Sequence, residues 1–289
     1  MASTEGRIDF TVNGKTYQTW YKIFGDIRSG KVPVVALHGG PGAGHSYPHN
    51  RLWEQAKIPV ILYDQLGTGN SSHVPDVPKE FWTPDLFMDE LTNLLHHFKI
   101  HDKFDLLGVS WGGMLAGNYA AARQPKGLRK LVIASSPANN DLYMKGINEL
   151  LDASFPLEFV AMLRKHEAEG TFDSPEYVAG NTLFMKRFTC SVDPWPETLE
   201  ATMKTMEEDP TVYQAMQGPT EFCMSGGTLQ NWDIIPILPN ITSPTLLLRG
   251  KNDSVSAESM YPFFNNIRQV KWVELEKSTH LGMYEEPDR

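Results

Sequence analysis

Cysteine is nearly absent from this 289-residue chain, with Cys190 and Cys223 its two examples. Two cysteines without a secretory leader read as free thiols in a reducing compartment, so no disulfide is expected and the cytoplasm is the expected location. The opening residues Met1-Ala2-Ser3-Thr4-Glu5-Gly6-Arg7 lack the apolar stretch of a signal peptide. No apolar run approaches the roughly 20 residues of a membrane-spanning helix, so no membrane partner is expected. Positive charge is also scarce: 26 Lys and Arg stand against 35 Asp and Glu, a formal net charge of −9. That balance argues against nucleic acid or an anionic membrane surface as partner. Internal repeats and low-complexity tracts are missing. No cluster of His, Cys, Asp and Glu has metal-ligand spacing, so neither metal nor cofactor is expected. What remains is a globular composition, 41% apolar, 21% charged and 11% aromatic. A chain of this length can bury one large core with an inserted lobe.

The hydrophobic pattern alternates between short strands and helices. Residues 8–12 and 16–24 flank Asn13-Gly14, a strong hairpin signal. Apolar runs at 32–37, 59–63, 104–107, 128–134, 245–248 and 270–275 predict further strands, and 86–98 and 114–122 read as helices. Strands alternating with helices imply an α/β fold, a mostly parallel sheet covered on both faces, with sites at the carboxyl ends of the strands. The alternation breaks after Ser135. Helices are predicted at 141–152, 157–169, 175–188, 196–207 and 210–216. The chain therefore divides into core 1–136, an inserted helical cap 137–240, and a second part of the core, 241–289. Such a core normally closes with one more helix, which is expected to be missing here.

The chain turns on Gly108-Val109-Ser110-Trp111-Gly112-Gly113. Strand, G-x-S-x-G and helix follow one another in the order of a nucleophile elbow. Such a turn strains its serine and places it before helix N–H groups that favour negative charge. Gly108 and Gly112 leave room for neighbouring backbone. Alone, the pattern also fits a glycine-rich turn with an incidental serine. A serine hydroxyl needs a base at neutral pH, normally a histidine oriented by a carboxylate. Asp253 and His280 each stand past a strand, in the chain order that accompanies this elbow. One is otherwise a turn former and the other a surface histidine, but together the three argue for a triad. The oxyanion hole is expected from the backbone N–H groups of Trp111 and of Gly40, in His38-Gly39-Gly40-Pro41-Gly42. Gly39 and Tyr47 are expected beside the substrate. Asp64 and Gln65 are expected to order the following Gly-rich loop through its backbone. That loop lacks the lysine and helix of a phosphate cradle.

The stretch 38–42, the run Tyr63-Asp64-Gln65-Leu66-Gly67-Thr68-Gly69-Asn70-Ser71 and the elbow together resemble the proline iminopeptidase family of α/β-hydrolases. Gly218-Pro219-Thr220-Glu221-Phe222, with Trp232-Asp233-Ile234, resembles the tricorn-interacting aminopeptidase branch of that family. The resemblance implies the α/β-hydrolase fold and a role for Glu221 in binding a substrate's free α-ammonium group. A glutamate there also suits a helix cap or an arginine partner. The branch often carries a second acid directly after the triad aspartate, where this chain has Ser254, so one acidic anchor is lost. The expected chemistry is acyl transfer to water through an acyl-serine. The leading reading is an aminopeptidase or amidase that releases an N-terminal amino acid from small peptides or amides. The alternatives are an esterase, lactone or amide hydrolase of a small metabolite, and a hydrolase-fold protein that binds a ligand without hydrolysing it. The expected partner is a small molecule or short peptide, and the oligomeric state leaves no signal.

Overall fold

The computed structural model describes residues 3–289. β1 (Ser3–Val12) and β2 (Lys15–Phe24) form an antiparallel hairpin about Asn13-Gly14. In chain order there follow β3 (Val34–Leu37), α1 (Arg51–Ala56), β4 (Val60–Tyr63), α2 (Pro84–His97), β5 (Phe104–Val109), α3 (Trp111–Ala122) and β6 (Leu128–Ala134). Next come α4 (Asn140–Ser154), α5 (Leu157–Glu169), α6 (Pro175–Phe188), α7 (Glu197–Glu208) and α8 (Thr211–Met216). The sheet then resumes with β7 (Thr245–Gly250), α9 (Ala257–Asn266), β8 (Val270–Leu275) and the single turn α10 (Gly282–Glu285). The eight strands of the described residues lie in the order β1-β2-β4-β3-β5-β6-β7-β8. β2 meets β4 antiparallel, and the pairings from β4 through β8 are parallel. This is the α/β-hydrolase fold, a mostly parallel sheet with helices inserted between β6 and β7.

Local chemistry explains the elements. β3 and β4 are buried at every position, as unbroken Val-Val-Ala-Leu and Val-Ile-Leu-Tyr runs require, because helices cover both faces of a parallel sheet. Thr83 caps α2 by accepting the Leu86 N–H, with Pro84 at the first helical position. Asn139, Ser174 and Ser256 cap α4, α6 and α9 in the same way. α3 is buried on all sides from Trp111 to Ala121, which accounts for its Gly- and Ala-rich sequence. α1 and α9 lie where the apolar pattern predicted no element. α9 carries Pro262 in its interior, which removes one helical N–H and blurs the signature. No helix among the described residues is long and apolar enough to cross a membrane. Cys190 and Cys223 are free thiols.

The carboxyl ends of β3, β4, β5, β7 and β8 deliver Gly40, Asp64, Ser110, Asp253 and His280 to one edge of the sheet. The helical insertion is fastened to that edge through its backbone. At the end of α6, the Phe188 carbonyl accepts the His280 N–H at 3.2 Å and the Ser254 N–H at 3.4 Å. The next carbonyl, of Thr189, accepts the Leu281 N–H at 3.0 Å.

Candidate active site

Ser110 stands between β5 and α3 with φ 57° and ψ −126°, a left-handed backbone that a side chain rarely adopts. The crossing of strand and helix explains it. A Cβ on Gly108 would lie 2.0 Å from the Gly112 carbonyl oxygen, and one on Gly112 would lie 2.2 Å from that of Leu37. A Cβ on Gly113 would lie 2.0 Å from Ser136 Oγ. Only chains without Cβ atoms approach so closely, so the turn is sharp and the serine protrudes. The Ser110 carbonyl accepts the Gly113 and Met114 N–H groups at 2.9 and 3.1 Å, which starts the helix. The Trp111 N–H, at the first helical position, has no acceptor one turn back.

His280 and Asp253 form a buried pair. Nδ1 of His280 lies 2.7 Å from Asp253 Oδ1, which also accepts the Val255 N–H at 2.8 Å. Burial alone would depress the imidazole, but the Asp253 carboxylate overrides it and the net shift is upward from the ordinary 6.5. The pairing fixes the proton on Nδ1 and leaves Nε2 as the free ring nitrogen. Among the described residues the Ser110 hydroxyl makes no hydrogen bond, yet it and His280 are walls of the same cavity of about 310 Å³.

Gly40 lines that cavity too, with φ +104°. Its orientation comes from His38, a residue that the sequence pattern did not single out. The buried His38 ring has Nδ1 2.9 Å from the Gly39 carbonyl oxygen, while its Nε2 accepts the Gln65 N–H at 3.1 Å. Burial lowers the pKa of this imidazole, so it stays neutral with Nδ1 donating. With the Gly39 carbonyl held on one side, the Gly40 N–H of the same trans peptide points the opposite way. Gly39 is not a wall of the cavity. It is buried under the site, where an added Cβ would meet the Tyr47 hydroxyl at 2.8 Å and Ser110 Cβ at 3.3 Å. Tyr47 is a wall of the cavity.

The Asp-Gln pair after β4 divides its work. Asp64 orders the Gly-rich loop as expected: its carboxylate accepts the backbone N–H groups of His45 and Asn70, each at 2.8 Å. Burial opposes that charge, but the bonds from His45 and Asn70 hold the carboxyl below its usual range. Gln65 also serves the loop, its carbonyl accepting the Thr68 N–H at 3.0 Å, and it does a second job that the pattern did not announce. Its side chain reaches the elbow, where Oε1 accepts Trp111 Nε1–H at 2.8 Å. The Trp111 indole is buried and meets Phe87 edge-on with centroids 5.7 Å apart, so its side chain packs.

Glu221 lies in the same cavity wall as Ser110 and His280. Among the described residues it caps no helix and pairs with no arginine. Two phenols hold it: Tyr143 donates to Oε2 at 2.7 Å and Tyr213 donates to Oε1 at 2.8 Å. Each carboxylate oxygen keeps a further lone pair for a second donor. Burial first, and then the charge of Glu221, raise both phenols well above the ordinary tyrosine value, so both remain donors. Ser254, the position of the lost second acid, is buried in the wall of this cavity.

Comparison with known proteins agrees with the fold. The family model described as alpha/beta hydrolase fold matches residues 32–287. The proline iminopeptidase of Lactobacillus helveticus is 32% identical over 291 residues, an alignment that covers all of this chain and 95% of that protein. The crystal structure of VinJ superposes with a TM-score of 0.92 at 42% identity, covering 98% of this chain and 95% of that one. The crystal structure of proline iminopeptidase from Mycobacterium smegmatis gives 0.87 at 36% identity, covering 98% and 94%.

Proposed function

The chain belongs to the proline iminopeptidase family of α/β hydrolases and is a hydrolase, and on that footing we propose that it is a serine aminopeptidase, one that removes an N-terminal amino acid from a small peptide or amide. The observation that carries this reading is Glu221: a carboxylate held by two phenols in the same cavity as Ser110 and His280. A partly desolvated carboxylate selects an ammonium group and places the adjacent acyl carbon near the serine.

Ser110 Oγ attacks the scissile carbonyl carbon while Nε2 of His280 takes the hydroxyl proton. Asp253, bonded to Nδ1, steadies the imidazolium. The N–H groups of Gly40 and Trp111 receive the oxyanion. The tetrahedral adduct collapses with cleavage of the C–N bond, and His280 hands its proton to the departing amine. Water then attacks the acyl-serine and gives its proton to His280. The second collapse returns that proton to Ser110 and frees the amino acid. The two free thiols suit a reducing compartment, and we place the enzyme in the cytoplasm.

A substrate panel tests this reading. Aminoacyl anilides with a free amine should be cleaved in preference to N-acetylated anilides and simple acyl esters. Ser110→Ala should lower kcat by on the order of 10⁵-fold. Glu221→Gln should lower kcat/KM for free-amine substrates by about 100-fold, as for loss of one partner of a buried charge pair. Preference for N-blocked anilides or acyl esters would replace the aminopeptidase reading with an esterase one.

A further inference from the structure

α6 and α7 each turn one face to the cavity that holds Ser110. Asn181, Met185 and Thr189 stand four residues apart along and just past α6, and Met203, Met206 and Glu207 share one face of α7. The three thioethers form an apolar wall that adapts to the shape laid against it. Apart from His280, which is paired with Asp253, the charged groups on the walls are of one sign. The carboxylates are Glu221, engaged by its two tyrosines, and Glu207, exposed at the end of α7 and without an ion-pair partner among the described residues. No lysine or arginine among the described residues lines the cavity. A free dipeptide carries its carboxylate about 7 Å or less from its ammonium group, so binding it would bring that carboxylate into the same acidic, apolar space.

From this arrangement we propose that the preferred substrates are α-aminoacyl amides of apolar amines with no carboxylate next to the scissile bond, and that Glu207 sets this preference. The proposal rests on the aminopeptidase reading, in which Glu221 takes the ammonium group. Glu207 then faces the leaving-group side and repels a carboxylate there, while Met185, Met203 and Met206 receive an apolar amine.

Steady-state kinetics of the full chain on a matched set test it: alanyl-leucine, alanyl-leucinamide and alanyl-isopentylamide, which differ at the carboxyl position alone. At low ionic strength kcat/KM for the amide and the isopentylamide should exceed that for the free acid by about threefold to fivefold, the scale of repulsion from a solvent-exposed carboxylate. Added salt should narrow the gap. Glu207→Gln should narrow it further, and Glu207→Lys should close or reverse it. Equal turnover of acid and amide, or a gap that Glu207→Lys leaves unchanged, overturns the proposal and leaves the aminopeptidase reading standing. Turnover of N-acetylated substrates alone would overturn both.

Discussion

Tyr143 and Tyr213 show how much of a candidate binding site rests on side chains that no motif announces. They reach Glu221 from 78 and 8 residues away, and a hydrogen bond between distant side chains leaves no spacing in the sequence. Ser110, Asp253 and His280 were legible because the elbow pattern brings its own chain order. Glu221 was legible through the 218–222 stretch alone. His38 was hidden inside a glycine motif, although its ring orients the Gly39–Gly40 peptide. If the phenols set the Glu221 carboxylate, Tyr143→Phe and Tyr213→Phe should each raise KM for free-amine anilides by about tenfold, the scale of one hydrogen bond to a charged group. kcat should change little. A KM unchanged in both variants would show that the carboxylate needs no support. His280 yields a second expectation. The general base it is proposed to be must be neutral, and Asp253 raises this imidazole above 6.5. Activity should therefore rise with pH along a limb centred above that value. Asp253→Asn should move the limb to lower pH and cut kcat by about 10⁴-fold; pH profiles of kcat/KM check both.

Among the elements, strands were the easiest to read. Runs such as 34–37 and 60–63 are apolar at every position, and Gly or Pro stands close on either side. The inserted helices were readable from their Pro and Ser starts. α9 was not, since Met260 and Phe263 are its two buried large side chains and Pro262 sits between them. The crossing of β5 and α3 was legible as a glycine pattern, but its closeness emerges in three dimensions. Gly112 is the sharpest test, because a methyl group there would meet a strand carbonyl at 2.2 Å rather than a pliable side chain. Gly112→Ala should cost about 3 kcal/mol of stability as overpacking, and it should lower Tm by several degrees. A wild-type melting curve would mean that strand and helix can separate without penalty.

At the scale of the whole molecule, the pattern foretold a parallel sheet with an insertion. It could not show that the backbone at 188–189, at the end of α6, clasps the loops that carry Ser254, His280 and Leu281. Nor could it show that buried Glu90 on α2 joins three parts of the core. Its Oε1 accepts the Thr19 hydroxyl of β2 at 2.5 Å and the Leu66 N–H of the Gly-rich loop at 3.0 Å. Burial pushes its pKa from 4.5 up to about 7, against the lowering effect of those bonds. The folded state therefore holds this proton more tightly than the unfolded chain. Its contribution to stability is complete below pH 4.5 and is lost as pH rises through about 7. The loss amounts to about 3 kcal/mol. Glu90→Gln should flatten that fall, as denaturant titrations at about pH 5 and 8, on either side of the Glu90 value, would record. The left-handed backbone at Ser110 has a consequence for durability. The residue proposed to do the chemistry holds a conformation that glycine would adopt at ease, with a relief of about 1 kcal/mol. An inert Ser110→Gly protein should accordingly outlast the active one in a heat challenge, so that in this fold reactivity and longevity are set against each other at a single torsion angle.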